Sequence, residues 1–141
     1  METCLDIPEG FERHDRRSPV TAPWEPIYRH HSGDTVVLAI RAAEAHCNGR
    51  GFVHGGLISA LADNAMGLSC VRKMGEVASL VTVNLTVDFL ASAQVGQWLE
   101  FDTVFMRPGG TLSFAQAFVT ADGQPVARAN AVFRVVRKAA A

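Results

Sequence analysis

The stretch Asn48–Gly67, NGRGFVHGGLISALADNAMG, decides how this chain folds. A glycine pair follows a histidine where a helix begins, and an aspartate stands in the middle of that helix. The remaining helical positions are apolar nearly all round, with Leu57, Ile58, Ala60, Leu61, Ala62, Ala65, Met66 and Leu68. A helix with no polar face to meet water is normally buried. A carboxylate buried with it is costly unless it is paired, protonated or used. Asp63 is therefore expected to serve a function.

Outward from this stretch, the helix is predicted from about Gly55 to Arg72, with Gly75 just past its end. Beyond Gly75 the apolar pattern changes to period two. Val81, Val83, Leu85, Val87 and Phe89 alternate with polar residues on a first strand, and Leu99, Phe101, Thr103 and Phe105 mark a second. Leu112, Phe114 and Phe118 mark a third; Ala127, Ala129, Ala131, Phe133 and Val135 share one face of a fourth. Short turns such as Pro108-Gly109-Gly110 and Asp122-Gly123 make these strands an antiparallel meander. Before the helix, the turn Ser32-Gly33-Asp34 precedes the β-branched run Thr35–Arg41, another strand. Residues 1–25, with Pro8, Pro19, Pro23 and a charged cluster from Glu12 to Arg17, read as an irregular lead-in with at most a short helix. The expectation is an α+β domain over residues 26–141. In it, an antiparallel sheet of five or six strands wraps around one long central helix.

Composition narrows the function. The 141 residues suit one domain with a real core, and a net charge of −1 gives no electrostatic footprint for nucleic acid. The five histidines (14, 30, 31, 46, 54) lack metal-ligand spacing, so no metal site is expected. Cysteines 4, 47 and 70 are odd in number and lack C-x-x-C spacing, which points to reduced thiols and a cytoplasmic protein. The opening METCLDIPEG, acidic and broken by proline, does not read as a signal peptide, and His54, Asp63 and Asn64 interrupt the longest apolar stretch, so neither a signal peptide nor a membrane span is expected.

The chemistry follows from the helix start. The first N–H groups of a helix have no internal partner and lie at the positive end of its dipole. With no side chains at Gly55 and Gly56, they offer an oxyanion site to a carbonyl turning tetrahedral. Asn48 can add a side-chain donor, although asparagine also suits a loop cap. His54 suits orienting the loop, Thr82 is a good strand residue, and Asp63 can act as general base or nucleophile. Gly55 and Asp63 are eight residues apart, about 12 Å along one helix. A reacting carbonyl needs donor and attacking group each near ~3 Å, so one helix cannot supply both. Two antiparallel copies across a two-fold axis can, which makes an enzyme of this kind an obligate dimer.

The pattern N-x-x-G-x-x-H-G-G followed by L-A-D, carried by Asn48, Gly51, His54, Gly55, Gly56, Leu61, Ala62 and Asp63, resembles the hotdog-fold acyl-CoA thioesterases of the phenylacetate-pathway (PaaI-like) branch. The resemblance implies that Gly55 N–H and the Asn48 side chain polarise a thioester carbonyl. It implies that Asp63 of the other subunit activates water or attacks, with the Thr82 hydroxyl helping to hold the water. Strict alternation puts Thr82 on the strand face away from the helix, so a bulge or the dimer edge has to bring it in. His54, Gly56 and Phe52 would line the substrate, Phe52 narrowing the acyl pocket. Arg50, Arg107, Arg72 and Lys73 are candidates for the coenzyme A phosphates. No cofactor is implied, coenzyme A being part of the substrate, and self-association as a homodimer and a dimer of dimers is. Two rivals keep the fold: an enoyl-CoA hydratase or dehydratase, whose D-x-x-x-x-H signature is absent, and a non-catalytic acyl-CoA-binding domain.

Overall fold

The computed structural model describes residues 6–75 and 78–137. Its single long helix, α1 (Gly55–Met74), starts at the glycine pair and outlasts its expected end by two residues. His54 caps the start, and Gly75, at φ 81°, ends it in a conformation that suits glycine. The strands are β1 (Glu12–Arg13), β2 (Tyr28–Ser32), β3 (Thr35–Arg41), β4 (Ala78–Phe89), β5 (Trp98–Arg107), β6 (Leu112–Ala121) and β7 (Gln124–Arg137). They form one antiparallel sheet in the order β1-β2-β3-β5-β6-β7-β4.

The sheet thus has seven strands rather than five or six. The additional pairing comes from β1, whose Glu12 and Arg13 lie opposite Arg29 and Tyr28. This short strand falls inside the stretch that reads as irregular, because two charged residues carry no period-two signal. The same stretch contributes one 3-10 turn, Ala22–Trp24.

One face of α1 packs on the sheet. Leu57, Ile58, Leu61, Ala62, Ala65, Met66 and Cys70 are buried against Leu38, Ile40, Leu99, Phe101, Val119 and Phe133. Each large side chain so buried contributes about 1.5–3 kcal/mol. Small residues beneath the helix, among them Ala115, Ala117, Ala127 and Ala129, let it approach the sheet closely. Ser69, fully buried, accepts a hydrogen bond from Val36 N–H at 3.0 Å, where β3 has run beyond its pairing with β5.

The helix is not enclosed all round. Asp63, Asn64, Gly67, Leu68 and Val71 form a half-buried strip beside β4. That strip corrects the expectation of a fully buried helix: in a single chain Asp63 borders an open cleft. Beside it β4 is the edge of the sheet, twelve residues long and paired only with β7.

Candidate active site

Asn48 organises the turn before the helix. Its Oδ1 accepts from Arg50 N–H at 2.9 Å and Phe52 N–H at 3.3 Å, while its own N–H donates to Phe52 O at 2.8 Å. Two donors at one end of the amide identify that end as oxygen. Nδ2 therefore lies at the other end, and it is hydrogen-bonded to nothing among the described residues. The loop is anchored from below by His46, which is buried. Its Nδ1 accepts from Ala43 N–H at 2.9 Å, its Nε2 lies 2.7 Å from Trp24 O, and its carbonyl accepts from His54 N–H at 2.9 Å. Sequence reasoning missed this part, because a histidine flanked by Ala45 and Cys47 carries no pattern that separates an anchor from a surface residue.

The two glycines differ in what they offer. Gly56 N–H donates to His54 Nδ1 at 2.8 Å, so His54 orients the loop and Gly56's donor is taken. Gly55 N–H has no partner among the described residues. Side chains also approach both glycines closely. A Cβ at Gly55 would come within 3.0 Å of the Phe89 ring, and one at Gly56 within 2.9 Å of His54 Nδ1.

Asp63 lies farther along the helix with a partner of its own. Thr82 Oγ1 donates to Asp63 Oδ1 at 2.7 Å. What brings Thr82 in is a register shift between Thr82 and Asn84 in the β4–β7 ladder. Ahead of the bulge Leu80 and Thr82 turn toward the helix; after it Leu85 and Val87 do. The expected alternation is corrected at the same place, since Val81 and Val83 are each 53% exposed. The Asp63–Thr82 pair borders an open cleft of about 700 Å³.

The chain therefore carries unpartnered donors at Asn48 Nδ2 and Gly55 N–H and a hydrogen-bonded pair at Asp63 and Thr82, and Gly55 and Asp63 are about 12 Å apart along α1. Residues 50–127 match the thioesterase superfamily. The chain belongs to that family. A Pseudomonas aeruginosa protein named "Putative esterase" is 36% identical over 93% of this chain and 98% of its own length. A Streptococcus mutans structure bound to acetyl CoA is 25% identical, with a TM-score of 0.72 over 89% of this chain and 96% of that one. The Escherichia coli PaaI protein from the phenylacetic acid degradation operon, at 20% identity, shares the fold, with a TM-score of 0.70 over 78% of this chain and 79% of its own. The protein is a hotdog-fold thioester hydrolase, as the sequence pattern led one to expect.

In this thioesterase only Arg50 of the four basic candidates belongs to the donor loop, its guanidinium 6.0 Å from the centre of the Phe52 ring. Phe52 bridges to Gln94 in the loop between β4 and β5. Arg72 and Lys73 lie in the last turn of α1, where Arg72 Nε donates to Gly33 O at 3.0 Å and Lys73 sits 3.7 Å from Asp34. Arg107 ends β5 opposite Phe114, whose neighbour Ser113 donates to Met74. These three residues stand at the C-terminal end of the helix, away from Asn48 and Gly55. Among the described residues no cluster of His, Cys, Asp or Glu could hold a metal ion. No described helix is long and apolar enough to cross a membrane.

Proposed function

We propose that the protein hydrolyses acyl-CoA thioesters at sites shared between two copies of the chain. The observation that carries this reading is the separation of Gly55 from Asp63 together with the open edge of β4. Along that strand Thr82 meets Asp63 and Phe89 meets Gly55. An antiparallel β4–β4 pairing with its two-fold axis near Leu85 and Thr86 sets Phe89 of one copy opposite Thr82 of the other. Gly55 of the first copy then lies beside Asp63 of the second. The same pairing covers Val81, Val83 and a long unpaired edge, which is a liability when left open.

In that arrangement Asn48 Nδ2 and Gly55 N–H of one subunit hold the thioester oxygen and stabilise the charge that develops on it. Thr82 fixes one oxygen of Asp63 in the other subunit, leaving Oδ2 to take a proton from water. The water oxygen bonds to the carbonyl carbon. The tetrahedral intermediate collapses with cleavage of the C–S bond, and the proton held by Asp63 passes to the leaving coenzyme A thiolate. The acid and the thiol depart.

A second apolar surface, with Val104, Phe105, Leu112 and Phe114 exposed on the outer face of β5 and β6, supports a dimer of dimers. Free thiols at Cys47 and Cys70 support a cytoplasmic location.

Thiol release from a panel of acyl-CoA esters, run beside water addition to crotonyl-CoA, tests the reading. Release of coenzyme A is expected without hydration of the double bond. Hydration without release would assign the hydratase, and tight binding with neither would assign a binding domain.

A further inference from the structure

The cleft beside Asp63 has a wall that the catalytic reading leaves unused. His14, Arg16, Arg17, Ser18 and Thr21 line it on the side of the N-terminal arm, facing Asp63 and Thr82. The arm is fixed in place. His14 N–H donates to Ile27 O at 2.9 Å, Thr21 is buried, and Ser18 and Thr21 hydrogen-bond to each other at 2.9 Å. The rest of the lining is mixed, with Ile27, Leu38, Leu61, Leu80 and Phe133 apolar and Asn64 and Ser79 polar.

The charges on the arm are not all matched. Arg29 is held by Glu12 and Asp15, and Arg17 lies 3.4 Å from Glu25. Arg16 has no acidic partner among the described residues. Beside it, His14 Nδ1 is shielded from solvent with no hydrogen-bond partner. An open cleft with Asp63 in one wall and, on the arm, the solvent-exposed guanidinium of Arg16 beside His14 is suited to an acyl group that is reactive at one end and anionic at the other.

We infer that the N-terminal arm selects acyl groups ending in a carboxylate, with Arg16 receiving the carboxylate and His14 beside it. This rests on the proposed acyl-CoA hydrolysis and names its substrate class. Guanidinium suits the task because its planar fork pairs with both oxygens of a carboxylate.

Adipyl-CoA and hexanoyl-CoA, equal in length and differing only in the terminal carboxylate, test the inference. The native enzyme is expected to favour adipyl-CoA about tenfold in kcat/KM. Arg16→Gln should collapse that ratio toward one, chiefly through KM, and Arg16→Lys should restore part of it. Arg13→Gln, on β1 and outside the cleft, should keep the native ratio. A native ratio near one, or a ratio unchanged in Arg16→Gln, overturns the inference and leaves hydrolysis standing. So does a KM rise for both esters that vanishes with the matching N-acetylcysteamine thioesters, since Arg16 would then serve the coenzyme A phosphates. Absence of thiol release from both esters, with release from other acyl-CoA esters of the panel, overturns the inference alone, and absence across the whole panel brings down the proposed hydrolysis and the inference with it.

Discussion

Asn48 uses the two ends of its amide differently. The oxygen closes the loop onto Arg50 and Phe52, and the nitrogen is left without a partner. That division permits a clean experiment. Asn48→Asp keeps an oxygen for the two loop N–H groups but has no N–H to offer a substrate. We expect Tm to hold while kcat falls about 10²-fold, the loss typical of one missing oxyanion donor. A lower Tm with kcat intact would make Asn48 a loop residue only. Asp63 invites the complementary change. Asp63→Asn still accepts from Thr82, so the variant should fold, yet hydrolysis should fall by at least ~100-fold because an amide cannot take the proton. Near-native turnover in a variant whose circular dichroism is unchanged would remove Asp63 from the chemistry.

Among the elements, β7 follows its sequence pattern, α1 follows its own in part and β4 does not. The apolar run of α1 marks a helix that packs on the sheet without marking the open strip at Asp63, Gly67 and Leu68, whereas Ala127, Ala129, Ala131, Phe133 and Val135 are all buried as their alternation implies. On β4 the same rule fails, because one extra residue at the bulge exchanges the faces, and nothing in the identities of Thr82, Val83 and Asn84 announces it. A shift between Thr103 and Phe105 likewise turns Phe105 outward, and on β6 it is Ala115, Ala117 and Val119 that face the helix, not Phe114. Size misleads there, since the space under a close-packed helix takes small side chains. Of the candidate site, the helix start and Asp63 were legible as local patterns. The support from His46, the contact of Phe89 with Gly55 and the wall of the N-terminal arm are long-range contacts, which leave no local signature. The outer face of β5 carries a pH-dependent cost. Burial pushes the Glu100 carboxyl above its ordinary 4.5, neighbouring Asp102 pushes it further, and His30 pulls it partly back. A raised carboxyl binds its proton more tightly in the folded chain than in the unfolded one. Its contribution is therefore fully present below about 4.5 and is lost as pH rises through the interval above. Glu100→Gln should raise Tm at pH 7, and the gain should shrink toward zero as the pH approaches 4. A gain that stays constant with pH would mean that packing, not ionisation, sets the difference.

For the whole molecule, the proposed shared site turns on a relation between two helices rather than within one. About 12 Å along α1 separates Gly55 from Asp63, and each half-site has its own support: His54 and the Asn48 loop at one end, Thr82 at the other. If the halves combine across a two-fold axis, Asn48→Asp and Asp63→Asn should each be nearly inactive as homodimers but complementary when mixed. In the mixed dimer one site receives both substitutions, and the other receives native Asn48 from one subunit and native Asp63 from its partner. Random exchange makes half of the dimers mixed, each with one working site of two, so about a quarter of native activity should return. A site built within one chain would give a different result, because every chain in the mixture carries one defect and mixing would restore nothing. Subunit exchange is verified by mass spectrometry of differently labelled chains, and activity is followed by coenzyme A release. Recovery toward a quarter supports the shared site. No recovery in a sample shown to have exchanged would place both halves in one chain, and would require α1 to bend or the Asn48 loop to swing across about two turns of helix.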